Sequence, residues 1–192
     1  MDAREGFRRS FEADKGYSSR FRQTALEEIL LSRIPGATGV RLASRADDYR
    51  GTDYWVERLY SDAYSIDLKL REKDYGDLTL EIWSKMPTDT ETGQIGWTRN
   101  ARLDTDYVLW AWADTGRFSI MPFAPLWSVF TKNWEEWLRL SRVRGSGIKA
   151  WVSGSKGDNG STWQSQCLFV REDIVEARID KWCHGYVTRN GN

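Results

Sequence analysis

Histidine is almost missing from this chain: His184 is the only one in 192 residues. A Ser-His-Asp site has little material from which to form, and His184, close to the C-terminus, reads as a surface residue. Cysteine is nearly as scarce. Cys167 and Cys183 are too few and too far apart for a disulfide framework, so the composition points to a reducing cytoplasm. With His184 they offer three zinc ligands, but no CxxC spacing supports a structural zinc. Charge of one sign is not in excess. Lys and Arg number 28 and Asp and Glu number 28, so the net basic balance of many nucleic-acid binders is lacking, and the local distribution of charge matters more. Long apolar runs are absent as well. The longest uncharged one, 118–130, contains two prolines and is too short to cross a bilayer. The opening MDAREGFRRSFEADKG has no apolar core, so neither a secretory signal nor a membrane anchor is expected. There is no GxxxxGK[ST] loop, no GxGxxG after a strand and no GxSxG elbow. With 40% hydrophobic and 29% charged residues, the expectation is a soluble globule and not a membrane protein, a collagen-like chain or a coiled-coil rod.

What the chain has in abundance is tryptophan, eleven in all, several times the usual share. One reading is a core that uses indoles for bulk, with their N–H groups hydrogen-bonded. The other is a set of exposed rings that stack on bases or grip a partner. Most of these residues sit in apolar runs, which favours the core.

Hydrophobic periodicity organises the chain as one α/β domain with a central mixed sheet flanked by helices. The charged arm with Phe7 and Phe11 leads into a helix over 18–34, ended by Pro35-Gly36. A short strand and a polar turn follow, with Gly51 permitting the turn before Asp53. Strands are predicted over 54–59, 65–70, 78–83, 107–112, 117–121 and 166–170. The run YVLWAW suits a strand buried on both faces. Helices are predicted over 126–142 and 173–182. The segment RVRGSGIKAWVSGSKGDNGST reads as a loop around one short strand. No internal repeat and no domain linker is visible.

The chemistry concentrates in GTDYWVERLYSDAYSIDLKLR. Asp53 is followed, after thirteen residues, by Asp67-Leu68-Lys69. On a strand, residues i and i+2 share a face, so Asp67 and Lys69 point the same way. An acid and an amine side by side, with a second acid on the neighbouring strand, make a small polar site at a sheet edge. Two carboxylates suit a hard cation such as Mg²⁺, which keeps several waters. A lysine there can orient or help deprotonate a metal-bound water whose pKa the metal lowers.

On these residues the sequence resembles the PD-(D/E)xK nuclease superfamily. Asp53 matches the first acid and Asp67-Leu68-Lys69 the D/E-x-K strand, and the order helix, strand, acidic hairpin, strand, helix fits the superfamily's core. The resemblance covers roughly 18–112 as a nuclease-like, restriction-endonuclease-like core, and leaves 113–192 as C-terminal helices, strands and a basic loop. It is most similar to the small Holliday-junction-resolvase-like and phage-type members. The resemblance implies hydrolysis of DNA with Mg²⁺ or Mn²⁺. The metal would be held by Asp53, Asp67 and the main-chain carbonyl of Leu68, and the water positioned by Lys69. Thr52 stands before Asp53 where the motif has proline. Many members carry a glutamate on the first helix; here Gln23, Glu27 and Glu28 are the candidates. Glu81, on the next strand with Trp83 and Lys85, is a further auxiliary acid or a solvated face residue. The motif GWTRNARLDTDYVLW, with Trp97, Arg99 and Arg102, is similar to Gly-Trp and Asp-Tyr placements in some phage-type members.

For DNA contact, Arg139, Arg142, Arg144, Lys149 and Lys156 fall within eighteen residues, interrupted by glycines and serines, with Lys132 and a stacking candidate, Trp163, nearby. The same segment also reads as a solvated loop. A weaker basic stretch runs through Arg4, Arg8, Arg9, Lys15, Arg20 and Arg22. The leading expectation is a cytoplasmic, metal-dependent endonuclease from a phage or mobile element. A homodimer is expected, because duplex DNA has two strands to cut. The alternative is a non-catalytic protein on the same fold that binds DNA, or inhibits a host defence protein through a Trp-rich surface. A viral structural or assembly protein, with an accidental Asp-x-Lys pair, is the third reading.

Overall fold

The structure is a computed structural model and describes residues 23–156 and 160–190. The Phe7/Phe11 arm, residues 18–22 of the first predicted helix and the basic stretch from Arg4 to Arg22 lie outside the described residues. In chain order the elements are α1 (Gln23–Arg33), β1 (Ala37–Leu42), α2 (Arg45–Asp48), β2 (Tyr54–Arg58), β3 (Ser61–Arg71), β4 (Asp77–Lys85) and β5 (Gln94–Ile95). A single 3-10 turn (Trp97–Arg99) precedes β6 (Tyr107–Trp112), β7 (Phe118–Pro122), α3 (Phe123–Leu140), β8 (Ile148–Lys156), β9 (Thr162–Arg171) and α4 (Glu172–Asn190). The chain is α/β, and among the described residues no helix is long and apolar enough to cross a membrane. The one central sheet expected from sequence is corrected to two, a mixed sheet of five strands and an antiparallel sheet of four. The chain divides into two compact units, so 18–112 contributes to both: Tyr75–Ala101 belongs with the second.

The first unit holds the described residues up to Asp74 together with Arg102–Phe123. Its strand order is β1-β2-β3-β6-β7. β1, β2 and β3 form an antiparallel meander, β6 runs parallel to β3, and β7 returns antiparallel. Parallel strands need a long crossover, and here it is the segment 72–106. α1 turns Leu26, Leu30 and Ile34 onto Tyr54, Val56, Ile66 and Leu109, which are buried together. β6 pairs with β3 on one side and with β7 on the other, and Val108 to Trp112 are all fully buried, as the apolar run predicts. The β2–β3 hairpin closes between Arg58 and Ser61 through Leu59 and Tyr60. Tyr60 sits at φ 60, a left-handed conformation that a side chain disfavours, and is 96% exposed.

The second unit takes Tyr75–Ala101 and the chain from Ala124 onward. Its order is β5-β4-β9-β8, every pair antiparallel. Leu78, Leu80, Ile82, Ile148, Leu168 and Val170 from the strands are buried, as are Leu126, Val129, Phe130 and Trp137 from α3 and Val175 and Ile179 from α4. The loop around one short strand predicted over 142–162 is instead a long hairpin in which β8 pairs with β9 from Ile148 to Lys156. The sequence conceals the length of this strand because β8 is an edge strand, exposed over most of its length. It has no apolar alternation to announce it, only a partner. At Gly96 an added Cβ would lie 2.3 Å from the Glu81 carbonyl oxygen, so only glycine lets the chain pass this close to β4.

Ten of the eleven tryptophans are buried or half-buried, and Trp151 alone is exposed. The core reading therefore accounts for most of them. Arg99, part of the basic turn noted in the sequence, is held between Trp83 and Trp134 at 4.6 and 4.5 Å from their ring centres. Trp112 departs from the expectation that each buried indole is bonded. Its Nε1 has no hydrogen-bond partner among the described residues, while the Arg117 guanidinium lies 3.7 Å above the ring.

Candidate active site

Asp53 stands where the chain enters β2, and the backbone fixes it from both sides. Its N–H donates to the Ile66 carbonyl at 2.8 Å, and its own carbonyl accepts from Ala43 at 2.9 Å. Thr52, buried beside it, donates through Oγ1 to the Asp104 carbonyl at 2.8 Å. The preceding turn uses Gly51 at φ 88, as the sequence anticipates. Opposite, on β3, Ser65, Asp67 and Lys69 share the face turned away from Ile66, Leu68 and the α1 core. Ser65 is clamped by Asp106, whose Oδ2 accepts from the Ser65 N–H at 2.8 Å and from its hydroxyl at 2.9 Å. This bond ties the start of β6 to β3, two residues before Asp67.

The two acids thus meet just ahead of the first residue of β2, where β3 continues past the Tyr54–Ile66 pair. The Leu68 N–H, left without a strand partner there, donates to Asp53 Oδ2 at 2.6 Å. The N–H and C=O of one strand residue point to the same edge, so the Leu68 carbonyl also faces the Asp53 side. Lys69 Nζ donates to Asp67 Oδ1 at 2.7 Å, with the Asp67 side chain 6% exposed and that of Lys69 29%. Burial raises the Asp53 carboxyl from its ordinary 3.8 to about 6. The adjacent Asp67 charge and a hydrogen bond between the two carboxyls add to the rise, while Lys69 and the Leu68 N–H oppose it. Near neutral pH the Asp53 carboxyl therefore holds its proton only weakly, beside Asp67 and its lysine partner.

Glu27 reaches the edge of this region from α1. Burial, together with the charges of Asp53 and Glu27, raises the pKa of the Tyr54 phenol, so both acids bear on one hydroxyl. Glu28 is exposed, and the Gln23 side chain lies outside the described residues. Glu81 belongs to the second unit, where its Oε2 accepts from Ser84 Oγ at 2.8 Å and from the Trp97 N–H at 3.0 Å. Its carboxylate thereby holds the 3-10 turn against β4.

Among the described residues, no three His, Cys, Asp or Glu side chains come together to hold a metal ion. The donor set on hand is two carboxylates and the Leu68 carbonyl. That set fits a hard cation that binds through one or two carboxylates and keeps its waters. Burying two adjacent acids also costs free energy that a divalent cation would offset by displacing the Asp53 proton. Cys167 is half-buried in β9, where burial pushes its thiol up to about 11, while Cys183 is exposed on α4 and His184 Nδ1 meets the Asp180 carbonyl at 2.7 Å.

The basic residues lie in the second unit and separate into two groups. Arg139, Arg142 and Arg144 line the end of α3 and the turn after it, and Lys149 opens β8. Lys156 closes β8, seven residues further on, or about 23 Å along the strand, beside Trp163. All five cations are exposed, Trp163 is half-buried, and none of the five makes an ion pair among the described residues. The sequence reading missed Thr52, Ser65, Asp106 and Tyr54. Ser65, two residues before Asp67, was signalled by the same i, i+2 rule; the others depend on contacts distant in sequence. No family model matches the chain, and no curated protein and no solved structure matches it significantly.

Proposed function

We propose that the protein is a metal-dependent endonuclease of the PD-(D/E)xK type, hydrolysing phosphodiester bonds in DNA. The observation that carries the reading is the Asp53–Asp67 carboxyl pair, with Lys69 Nζ 2.7 Å from Asp67 and the Leu68 N–H on Asp53. The acidic β2–β3 hairpin follows a helix and a strand, and a further strand, β6, pairs with β3. This is the element order of a restriction-endonuclease-like core, and it supports the reading. Asp53, Asp67 and the Leu68 carbonyl are the groups that would hold Mg²⁺ or Mn²⁺. The bound cation supplies charge stabilisation at the scissile phosphate and acidifies water.

Lys69 is tethered to Asp67 by its stem and its ion pair, so its ammonium stays beside the carboxyl pair and can donate to an incoming water. Glu27 is the auxiliary acid; the Glu81 carboxylate already accepts from Ser84 and the Trp97 N–H within the second unit. The cations Arg139, Arg142, Arg144, Lys149 and Lys156, which make no ion pair among the described residues, neutralise backbone phosphates. A homodimer, which duplex cleavage favours, and a phage or mobile-element origin in a cytoplasm belong to the same proposal.

The test is cleavage of plasmid, linear, single-stranded and branched DNA with Mg²⁺ or Mn²⁺, wild type beside Asp67→Ala and Lys69→Ala. Cutting that needs metal and that both substitutions abolish is the expected result. One observation favours a non-catalytic DNA-binding protein on the same fold instead: Asp67 is 4% exposed and already paired, as a purely structural ion pair would be. A folded protein that cuts none of the substrates, and that Mg²⁺ does not stabilise against heat, would move the conclusion to that reading.

A further inference from the structure

The edge of a β-sheet presents backbone N–H and C=O groups that no strand pairs, and proteins that do not use an edge blunt it. Among the described residues, three of the four sheet edges are blunted. β5 is two residues long, β7 ends in Pro122, and the pairing of β1 is broken by a register shift between Ala37 and Gly39. The fourth, β8, is not. It runs for nine residues, pairs with β9 without a shift and contains no proline. Beyond Ile148 its residues are exposed or half-buried, and Trp151 and Val152 are 63% and 43% exposed. Lys149 and Lys156 are its only charges.

Two sets of bonds show which β8 groups face outward. The Arg171 N–H donates to the Gly147 carbonyl at 2.9 Å, which makes those two residues a hydrogen-bonded pair. Antiparallel ladders alternate, so the backbone groups of 149, 151, 153 and 155 face β9 and those of the residues between them face away. Ile148 agrees: its N–H donates to Ser146 Oγ at 3.2 Å, and its carbonyl accepts from the same hydroxyl at 3.3 Å. Ser146 thereby closes the edge at that end. The outward groups of Ala150, Val152, Gly154 and Lys156 have no backbone partner among the described residues.

We infer that β8 pairs antiparallel with β8 of a second copy of this chain, about a two-fold axis through Ser153. This register uses all four open residues and leaves the Ser146 closure intact. It sets Ala150 opposite the partner's Lys156 and Val152 opposite the partner's Gly154 as hydrogen-bonded pairs. On the other face Trp151 meets the partner's Ser155. The strand is its own complement: its bulk lies at Trp151 and Val152 and its small residues at 153–155, so an antiparallel copy brings one half against the other. No cation falls opposite a cation. The contact closes at two copies and joins their four-stranded sheets into one. The inference deepens the homodimer part of the proposed function by naming its surface, and it does not need the Asp53–Asp67 site to be active.

The experiment is sedimentation equilibrium of the full chain, joined to disulfide cross-linking. Wild type is expected to show a monomer–dimer equilibrium. Val152→Pro is expected to weaken it about tenfold or more; its ring replaces an outward N–H and spares the β9 ladder. Ala150→Lys meets the partner's Lys156 twice by symmetry and is expected to weaken the dimer about threefold or more, and adding Lys156→Glu to restore it. In a Cys167→Ala, Cys183→Ser background, Ser153→Cys is expected to cross-link under mild oxidation, because facing Cα atoms of a pair that is not hydrogen-bonded lie about 4.5 Å apart. Val152→Cys is not, because its copy lies diagonally, beyond about 7 Å. A wild type that stays monomeric to about 1 mM overturns the inference. So do assemblies larger than a dimer, cross-linking through Val152→Cys in place of Ser153→Cys, or a dimer that Val152→Pro and Ala150→Lys leave unchanged while keeping the circular dichroism of wild type. Plasmid cleavage is measured alongside. A dimer lost in Val152→Pro, with no substrate cut by wild type, keeps the interface and removes the nuclease reading. Cleavage by a wild type that remains monomeric does the reverse.

Discussion

Replacing Asp53 with asparagine is expected to stabilise the metal-free protein near neutral pH and to change it little in acid. In the folded chain the Asp53 carboxyl stands at about 6 against an ordinary 3.8. Between those two values the folded chain keeps a proton that the unfolded chain has released, so raising the pH favours unfolding. The stability linked to this group is complete below the unfolded value and is lost as the pH climbs through the folded one. At ~1.36 kcal/mol per pKa unit the full loss approaches about 3 kcal/mol; the half-buried side chain retains some water, so about 1–3 is the range to expect. Asparagine keeps an oxygen for the Leu68 N–H and offers its NH₂ to Asp67, so the packing and both contacts survive. Urea unfolding in EDTA, followed by tryptophan fluorescence at pH ~4 and pH ~7.5, measures the difference. An offset between wild type and Asp53→Asn that is the same at both pH values would refute the reasoning. With Mg²⁺ at ~100 times its Kd, wild type is expected to gain about 2.7 kcal/mol and the variant much less.

Other outcomes follow from single contacts. Lys69→Ala is expected to abolish cleavage and also to cost about 1–3 kcal/mol, because it leaves the buried Asp67 without its donor; the two losses are read by nuclease assay and urea unfolding. Gly96→Ala is expected to lower stability by about 2–4 kcal/mol in a thermal melt, since its Cβ cannot fit 2.3 Å from the Glu81 oxygen. Tyr60→Asn is expected to raise stability by about 1 kcal/mol, because asparagine accepts the left-handed conformation at the β2–β3 turn. Leu30→Ala, which opens a cavity beneath the β2–β3 hairpin, is expected to cost about 2–5 kcal/mol by the same urea assay.

Several features of this protein were legible along the chain because their causes are local. The end of α1 at Pro35-Gly36, the turn at Gly51 and the pairing of Asp67 with Lys69 each depend on residues within a few positions of one another. The burial of β6 was legible for a related reason: YVLWAW has no polar face to offer solvent. β8 was hidden because it is defined by its partner β9 and not by its own apolar pattern. The same segment therefore read as a loop around one short strand, and its five cations as one group, until strand length separated Lys156 and Trp163 from the arginines.

Sequence alone determined that Asp67 and Lys69 share a face, because alternation along a strand is a property of the backbone. Tertiary structure decided that Asp53 faces them. That required β2 to begin one residue after Asp53, the Leu68 N–H to turn to its carboxylate, and Asp106 to hold β3 by Ser65 from a distance of 41 residues. It also decided that Glu81 belongs to a different unit and is engaged in holding a turn. The physical reason is common to both. A carboxylate's role is set by the donors and charges within a few ångströms of it, and pairing between strands distant in the chain is what supplies them.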